Sequence, residues 1–183
     1  MRKMLLSFKP EVYEKIKSGK KVFEHRRNFP DEPIMAYMYV SAPIKAVTGI
    51  VYLGKRHLLS DWKEEYKNDR DVVMRIEKYQ ESYRYAMEID EFLETTEISL
   101  DELRRDVPGF VAPQMYIYLD GTQLLRYLEK TLEIKENKIV NVSYELPKSF
   151  ILCRDKKTKE EILYISPIST QTLLKRIQNN KLD

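Results

Sequence analysis

The sequence predicts an α+β fold, a small β-barrel of about five or six strands with peripheral helices and a C-terminal extension. Short segments rich in apolar, β-branched and tyrosine residues recur along the chain and are typical of strands. Segments with helical spacing lie between them. Many short strands separated by short helices favour closure into a barrel. The chain has 183 residues, which is enough for one domain with an additional segment.

The first third of the chain is divided by turn-forming residues. Pro10 fits the first position of a helix, where its missing N–H is not needed, and Gly19 fits the left-handed end of that helix. Two later apolar segments are separated by Ser41-Ala42-Pro43, a composition that predicts a strand connection. Strands are therefore predicted at residues 4–8, 21–27, 34–40 and 46–54.

The middle of the chain is acidic, and its apolar residues have helical spacing in one segment and the alternating spacing of a strand in the next. Residues 60–81 have apolar side chains at near-helical spacing, which predicts an amphipathic helical insertion with a break near Asn68-Asp69. Residues 83–90 alternate with period two and predict a strand. Ser99 and Glu102 form a capping box, so a short helix should begin there.

The C-terminal part is less regular. Residues 115–119 fit either a strand or an irregular segment, and Thr122 fits the N-cap of a helix. Strands are predicted at 139–146, 150–154 and 161–165, and a final basic helix begins at Thr170. We expect one domain over residues 1–130 and, over 131–183, an extension of a β-hairpin and a helix packed on that domain.

Composition excludes several classes of protein. No apolar run approaches the roughly 20 residues that a membrane-spanning helix needs, so we expect a cytoplasmic protein that does not contact membranes. A single cysteine, Cys153, excludes an internal disulfide and predicts a core thiol. Two histidines leave little for a metal centre, and no phosphate-binding loop or catalytic triad pattern occurs. We expect no metal and no cofactor.

Charge is unevenly distributed along the chain. Residues 1–60 hold 12 Lys or Arg against 5 Asp or Glu, whereas residues 61–129 hold 9 against 17. The basic first third indicates a phosphate-bearing partner such as nucleic acid, although an excess of lysine is also common on ordinary surfaces.

Residues 18–27 are the strongest candidate for a functional site. On a strand, Glu24 and Arg26 share one face, and Lys21 lies at the strand entrance. An ammonium, a carboxylate and a guanidinium together suit an anionic or base-like ligand, because Arg26 can bind phosphate or a base edge with two donors. His25 and Arg27 should lie on the opposite face, at the surface. The alternative is an edge strand with ordinary ion pairs.

The spacing Gly19-x-Lys21-x-x-Glu24-x-Arg26 resembles the G-x-K-x-x-E-x-R signature of ASCH domains, a branch of the PUA-like superfamily. The similarity covers about residues 3–125. The surrounding elements also resemble those of the family, namely the strand at 4–8 with the helix after it, the strands within 34–54 and the short helix at 99–103.

The resemblance implies two different functions. Many such domains are inferred to bind RNA or modified nucleotides in a cleft lined by this motif. Some small bacterial ASCH proteins instead hydrolyse the acyl amide of N4-acetylcytidine, with a lysine, a threonine and a glutamate implicated. Lys21 matches that lysine, but Glu24 stands in the position of the threonine, and Glu88 is a candidate for the distant glutamate. Lys21 and Glu24 are therefore the catalytic candidates, and binding is the leading interpretation.

Other residues have both a functional and a structural interpretation. Tyr37 and Tyr39 would stack bases if exposed and would belong to the core if buried. Ser41 could offer its hydroxyl at the rim of a pocket or simply join two strands. Trp62, in the predicted helix 60–81, could contact a protein partner, whereas His57 has no predicted role. The sequence thus predicts an RNA- or nucleotide-binding module, with an amidohydrolase or ribonuclease and a protein-interaction module as alternatives.

Overall fold

The computed structural model describes residues 1–141 and, as backbone, residues 150–154 and 161–165. Its strands are β1 (Arg2–Phe8), β2 (Phe23–Arg26), β3 (Ile34–Val40), β4 (Ala46–Leu58), β5 (Tyr85–Ser99), β6 (Tyr116–Tyr118), β7 (Ile134–Val140), β8 (Phe150–Arg154) and β9 (Glu161–Ile165). Its helices are α1 (Pro10–Lys17), α2 (Leu59–Glu65), α3 (Arg70–Gln80), α4 (Leu100–Asp106) and α5 (Gln123–Thr131).

Seven strands form one mixed sheet that curls into a half-barrel. The order is β2-β5-β4-β3-β1-β6, and β7 pairs with the second half of β5. The pair β1–β3 is parallel and the other pairs in this sheet are antiparallel. Strand β5 has 15 residues, so its first half pairs with β2 while its second half pairs with β7. The strands β2 and β6 therefore lie at the two ends of the order.

Each face of the sheet has its own hydrophobic cluster. The inner cluster contains alternate residues of β1, β3, β4 and β5, together with the buried side chains of α1. On the outer face, α4 and α5 cover one part of the sheet with Leu103, Leu124 and Leu128. The helices α2 and α3 cover the other part around Ala86, mainly through Trp62. Because both faces are covered, the central strands are buried on both sides.

The structure confirms the predicted α+β class and most predicted elements, and it differs mainly in extent. The main sheet has seven strands rather than five or six, and it forms a half-barrel. The helical insertion is broken where expected, since the side chain of Asp69 accepts a hydrogen bond from Val72 N over 3.2 Å and caps α3. The capping box of Ser99 and Glu102 is present. Strand β4 continues to Leu58, and residues 116–118 form a strand.

The C-terminal predictions are only partly covered by the described residues. Strand β7 spans Ile134–Val140 and shares only residues 139 and 140 with the strand predicted at 139–146, whose residues 142–146 lie outside the described part of the chain. Strands β8 and β9 occur at the predicted positions and pair antiparallel. The helix predicted from Thr170, the side chain of Cys153 and the packing of the extension concern residues outside those described. None of the helices described is both long enough and apolar enough to span a membrane.

Candidate functional site

The motif strand is positioned by a helix end and by two neighbouring strands. Gly19 has φ +71°, a left-handed conformation that ends α1, and Lys21 N donates to Lys15 O over 3.0 Å. Strand β2 then pairs with β5, with Glu24 opposite Met87. Because Met87 belongs to the inner cluster, Glu24 also faces the inside of the half-barrel.

Glu24 is a buried carboxylate between two cations. Its side chain is only 6% exposed, and Arg26 Nε lies 2.8 Å from Oε1 while Lys21 Nζ lies 3.6 Å from Oε2. The Nε–H of Arg26 is not aligned on its carboxylate partner, and Glu24 Oε2 accepts no hydrogen bond from a described residue. Burial lowers the pKa of Lys21, and the nearby Glu24 carboxylate opposes that shift.

Arg26 also reaches across the inside of the sheet. Its Nη2 donates to Ser7 O over 2.8 Å, and its guanidinium carbon lies 5.3 Å from the centre of the Phe8 ring. Ser41 N donates to Phe8 O over 2.9 Å, so the connection from β3 to β4 begins beside the same part of β1. The structure thus brings Lys21, Glu24 and Arg26 together, with the half-buried Ser41 nearby.

The opposite face of β2 differs from the prediction at His25. Arg27 is exposed as expected. His25, in contrast, stacks on Tyr79 of α3, with ring centres 4.2 Å apart and planes 9° apart. Its Nδ1 is buried and has no hydrogen-bond partner among the described residues. Burial lowers the pKa of His25 to about 3, with a further contribution from the charge of Lys21. The prediction of a surface histidine was wrong because α3 covers this face.

Tyr37 and Tyr39 are core residues. Their exposed fractions are 2% and 5%, and both belong to the outer cluster beneath α4 and α5. Neither ring can present a face to a base, so the predicted stacking role at these positions is corrected. The physical reason is that β3 is covered on both faces, which the tyrosine-rich sequence of the strand does not reveal.

Glu88 lies on the wrong face for a site with Lys21. It is opposite Phe23, whose ring packs edge-on against Trp62 with centres 5.2 Å apart, and this is the outer face. Its Oε1 lies 2.7 Å from His57 Nε2. Glu88 is therefore the partner of His57, and the idea that it supplies a distant glutamate to the motif is corrected.

The apolar stripe of the predicted partner helix is used inside the protein. Trp62, Tyr66 and Ile76 are buried in the cluster between α2, α3 and the sheet. The charged side chains of these helices remain at the surface, for example in the Lys63–Glu77 ion pair of 2.7 Å. A protein partner at residues 60–81 stays a prediction.

Aromatic and arginine side chains near the motif were not identified from the sequence. Arg56 Nη1 donates to Phe29 O over 2.7 Å, and its guanidinium carbon lies 4.2 Å from the centre of the Tyr85 ring. The Phe29 and Tyr116 rings are 5.9 Å apart, and the Tyr116 and Tyr118 rings 5.7 Å. The alternation of Tyr116 and Tyr118 was the available signal, but it depended on recognising β6 as a strand.

The described residues contain no group of three or more His, Cys, Asp or Glu side chains that could hold a metal ion. The arrangement at β2 instead combines two cations, one carboxylate and nearby aromatic rings. Such a set can bind a phosphate or a polar heterocycle through charge-assisted hydrogen bonds.

The fold is that of ASCH domains. The ASCH protein of Zymomonas mobilis has a similar solved structure, with 22% sequence identity and a TM-score of 0.55, covering 72% of this chain and 96% of that one. Its serine-to-alanine variant gives 23% identity and a TM-score of 0.56, over 72% and 97% of the two chains. Its tyrosine-to-phenylalanine variant gives 21% identity and 0.55, over 73% and 100%.

These values establish likeness of fold. No family model matches the chain. No curated protein matches it either.

Proposed function

We propose that the protein is an RNA- or modified-nucleotide-binding module whose ligand site contains Lys21, Glu24 and Arg26. One observation carries the proposal. Two cations that are each about one-fifth exposed converge on a buried carboxylate, and the Oε2 atom of that carboxylate accepts no hydrogen bond from any described residue. Buried acceptors without donors are uncommon, because leaving one unpaired costs about 1–3 kcal/mol.

The chemistry of the three side chains suits a nucleotide. Glu24 Oε2 can accept a hydrogen bond from the amino group of a base once Lys21 moves away from it. The Lys21 ammonium can then bind a phosphate or a carbonyl, and Arg26 can bind a phosphate or a base edge with its remaining donors. Ser41 can add its hydroxyl at the rim.

Titration with single-stranded RNA tests the proposal through matched variants. We expect Lys21→Met to weaken binding about tenfold and Lys15→Met, an exposed lysine of α1, to leave it nearly unchanged. Arg26→Ala should weaken binding more than Arg27→Ala, which removes an exposed arginine next to it. Circular dichroism of each variant separates loss of binding from loss of fold.

Salt dependence provides a second measurement. We expect log Kd to rise linearly with the logarithm of the salt concentration, because phosphate contacts release counterions. Arg26→Ala should reduce the slope of this line, because it removes a phosphate contact. Equal losses for Arg26→Ala and Arg27→Ala, in proteins that remain folded, would contradict the assignment of the site to the inner face of β2.

A hydrolase acting on a modified nucleoside or on RNA is the second candidate. The lowered pKa of Lys21 beside a buried carboxylate favours it, since such a lysine is more easily deprotonated. The location of Glu88 on the outer face counts against it. Incubation with N4-acetylcytidine and a panel of RNAs decides the matter, because a hydrolase must form more product than its Glu24→Gln variant.

We also propose that the protein acts in the cytoplasm, where RNA and free nucleotides are available, and that residues 131–183 form an extension of the 1–130 domain. Fractionation of cells and limited proteolysis test these two proposals.

A further inference from the structure

Side chains on both ends of the curled sheet point to the same inner face. Arg26 on β2 contacts Ser7 O, and Ser7 N in turn donates to Met115 O, just before β6, over 2.8 Å. In the pairing of β1 with β6, Tyr116 lies opposite Leu6 and Tyr118 opposite Met4. Both partners belong to the inner cluster, so the two tyrosines lie on the inner face as well. We call the inner face between β2 and β6 the seam. It carries charged side chains towards β2 and tyrosine rings towards β6.

The lining of this seam is continuous. Arg56 and Arg84 approach the same Tyr85 ring, with guanidinium carbons 4.2 and 5.4 Å from its centre, and Tyr85 lies opposite Arg26 in the β2–β5 pair. We name this set the arginine–aromatic strip; in order, it consists of Arg26, Tyr85, Arg56, Phe29, Tyr116 and Tyr118. Each member is joined to the next by strand pairing, by a ring contact or by a hydrogen bond.

The far end of the arginine–aromatic strip is open to solvent. Tyr118 is 42% exposed, and Arg2 covers one side of its ring with the guanidinium carbon 4.5 Å from the centre. Tyr116 is half-buried between Phe29 and Tyr118. An exposed ring already stacked with a guanidinium can accept a planar base by the same interaction.

We propose that the arginine–aromatic strip is a track for single-stranded RNA, with a base stacked at Tyr118 and phosphates near Arg56 and Arg26. This inference rests on the proposed function, and it adds to the site at Lys21, Glu24 and Arg26 a surface that binds several consecutive nucleotides of one strand. The exposed Tyr118 ring and the half-buried Tyr116 ring can stack on bases, while the guanidinium groups of Arg56 and Arg26 can bind the phosphates of the same strand. Phe29 is a core residue with an exposed fraction of 6%, so it supports Tyr116 and takes no base itself. Double-stranded RNA hides its base faces and would not fit.

Two acidic side chains compete with the phosphates. Asp31 Oδ2 lies 3.1 Å from Arg56 Nη2, and Glu32 Oε1 lies 3.0 Å from Arg2 Nη1. Asp31 is 75% exposed, so the ion pair costs little to break. Asp31→Asn removes a carboxylate that competes with phosphate for Arg56. The track therefore predicts that this change strengthens RNA binding about two- to fivefold.

The test compares two ligands of different length, oligouridylate of about ten nucleotides and uridine monophosphate, measured by titration calorimetry. We expect Tyr118→Leu to weaken oligonucleotide binding about tenfold and to leave mononucleotide binding unchanged. Tyr118→Phe keeps the ring and should retain most of the affinity. Tyr83→Leu is the matched control, since Tyr83 is 40% exposed but lies next to His25 on the outer face.

A second readout locates the RNA directly. Cross-linking with oligouridylate that carries 4-thiouridine should modify the peptide containing Tyr116 and Tyr118. The deoxyribonucleotide of the same sequence shows whether the 2′-hydroxyl contributes, and equal binding would overturn the restriction to RNA.

The outcomes distinguish this inference from the proposed function. If Tyr118→Leu and Tyr83→Leu have equal effects on oligonucleotide binding, the track is wrong, even if Lys21→Met weakens binding of the mononucleotide. If Tyr118→Leu matters but Lys21→Met does not, the track is supported and the motif site is wrong. Failure of the wild-type protein to bind either ligand overturns both.

Discussion

Arg26 Nη2 donates a hydrogen bond of 2.8 Å to the backbone carbonyl of Ser7. This contact joins β2, at one end of the strand order, to β1, which is next to the other end. The same guanidinium forms an ion pair with Glu24, in which Arg26 Nε lies 2.8 Å from Glu24 Oε1. One side chain of the motif therefore serves both the closure of the half-barrel and the candidate ligand site.

Removal of the guanidinium should destabilise the fold. We expect Arg26→Gln to lower the free energy of unfolding by about 2–3 kcal/mol, because a charged hydrogen bond is lost and Glu24 keeps only Lys21 as a partner. Denaturant unfolding measures this. In a Glu24→Gln background the same change should cost less, since the two residues interact, and strict additivity would contradict the coupling.

His25 should make the protein sensitive to acid. Its pKa is about 3 in the folded state and about 6.5 when unfolded, so the unfolded chain binds more protons between these values. Stability is therefore lost as pH falls from 6.5 towards 3. His25→Phe keeps a ring against Tyr79 and should recover about 2–4 kcal/mol near pH 3.5, as measured by denaturant unfolding at several pH values.

At pH 8 the His25→Phe variant should differ little from the wild type. A histidine elsewhere offers a control, since His57 is the second of two in the chain. If His57→Gln removed the acid sensitivity as fully as His25→Phe, the assignment to His25 would be wrong.

The capping box of α4 can be tested locally. Ser99 accepts a hydrogen bond from Glu102 N over 3.2 Å, and its own N donates to Glu102 Oε2 over 2.9 Å. Ser99→Ala should destabilise the protein by about 1 kcal/mol, while Ser99→Asp should retain most of the stability. Thermal unfolding distinguishes the two, and equal midpoints would show that the cap contributes nothing.

Strands β4 and β5 approach each other closely at Gly49. A Cβ atom at this position would lie 2.8 Å from Phe92 Cε2 and 3.1 Å from Leu93 O. Gly49→Ala should therefore destabilise the protein by about 1–3 kcal/mol through overpacking. Because Phe92 is the obstacle, the Gly49→Ala/Phe92→Leu protein should be more stable than the sum of the single changes predicts, as measured by chemical denaturation.

The sequence by itself determined the features that depend on neighbouring residues. The helix end at Gly19, the break before α3 at Asp69 and the capping box at Ser99 and Glu102 all occur where the sequence predicts them. Each involves backbone groups within a few residues, so local chemistry is sufficient. The alternation of side chains between the two faces of a strand also predicted that Glu24 and Arg26 share one face.

Only the tertiary structure decided which of these faces meets solvent. Strand β5 continues beyond Asp90, past the polar residues Glu94 and Thr96, because β4 pairs with it on one side and β7 on the other, and no local pattern predicts that. Tyr37 is buried because α4 and α5 cover the outer face, whereas Tyr118 is exposed at the end of the strand order. Burial depends on how the layers of the protein pack together. Tyrosines in similar strand patterns can therefore be buried in one strand and exposed in another.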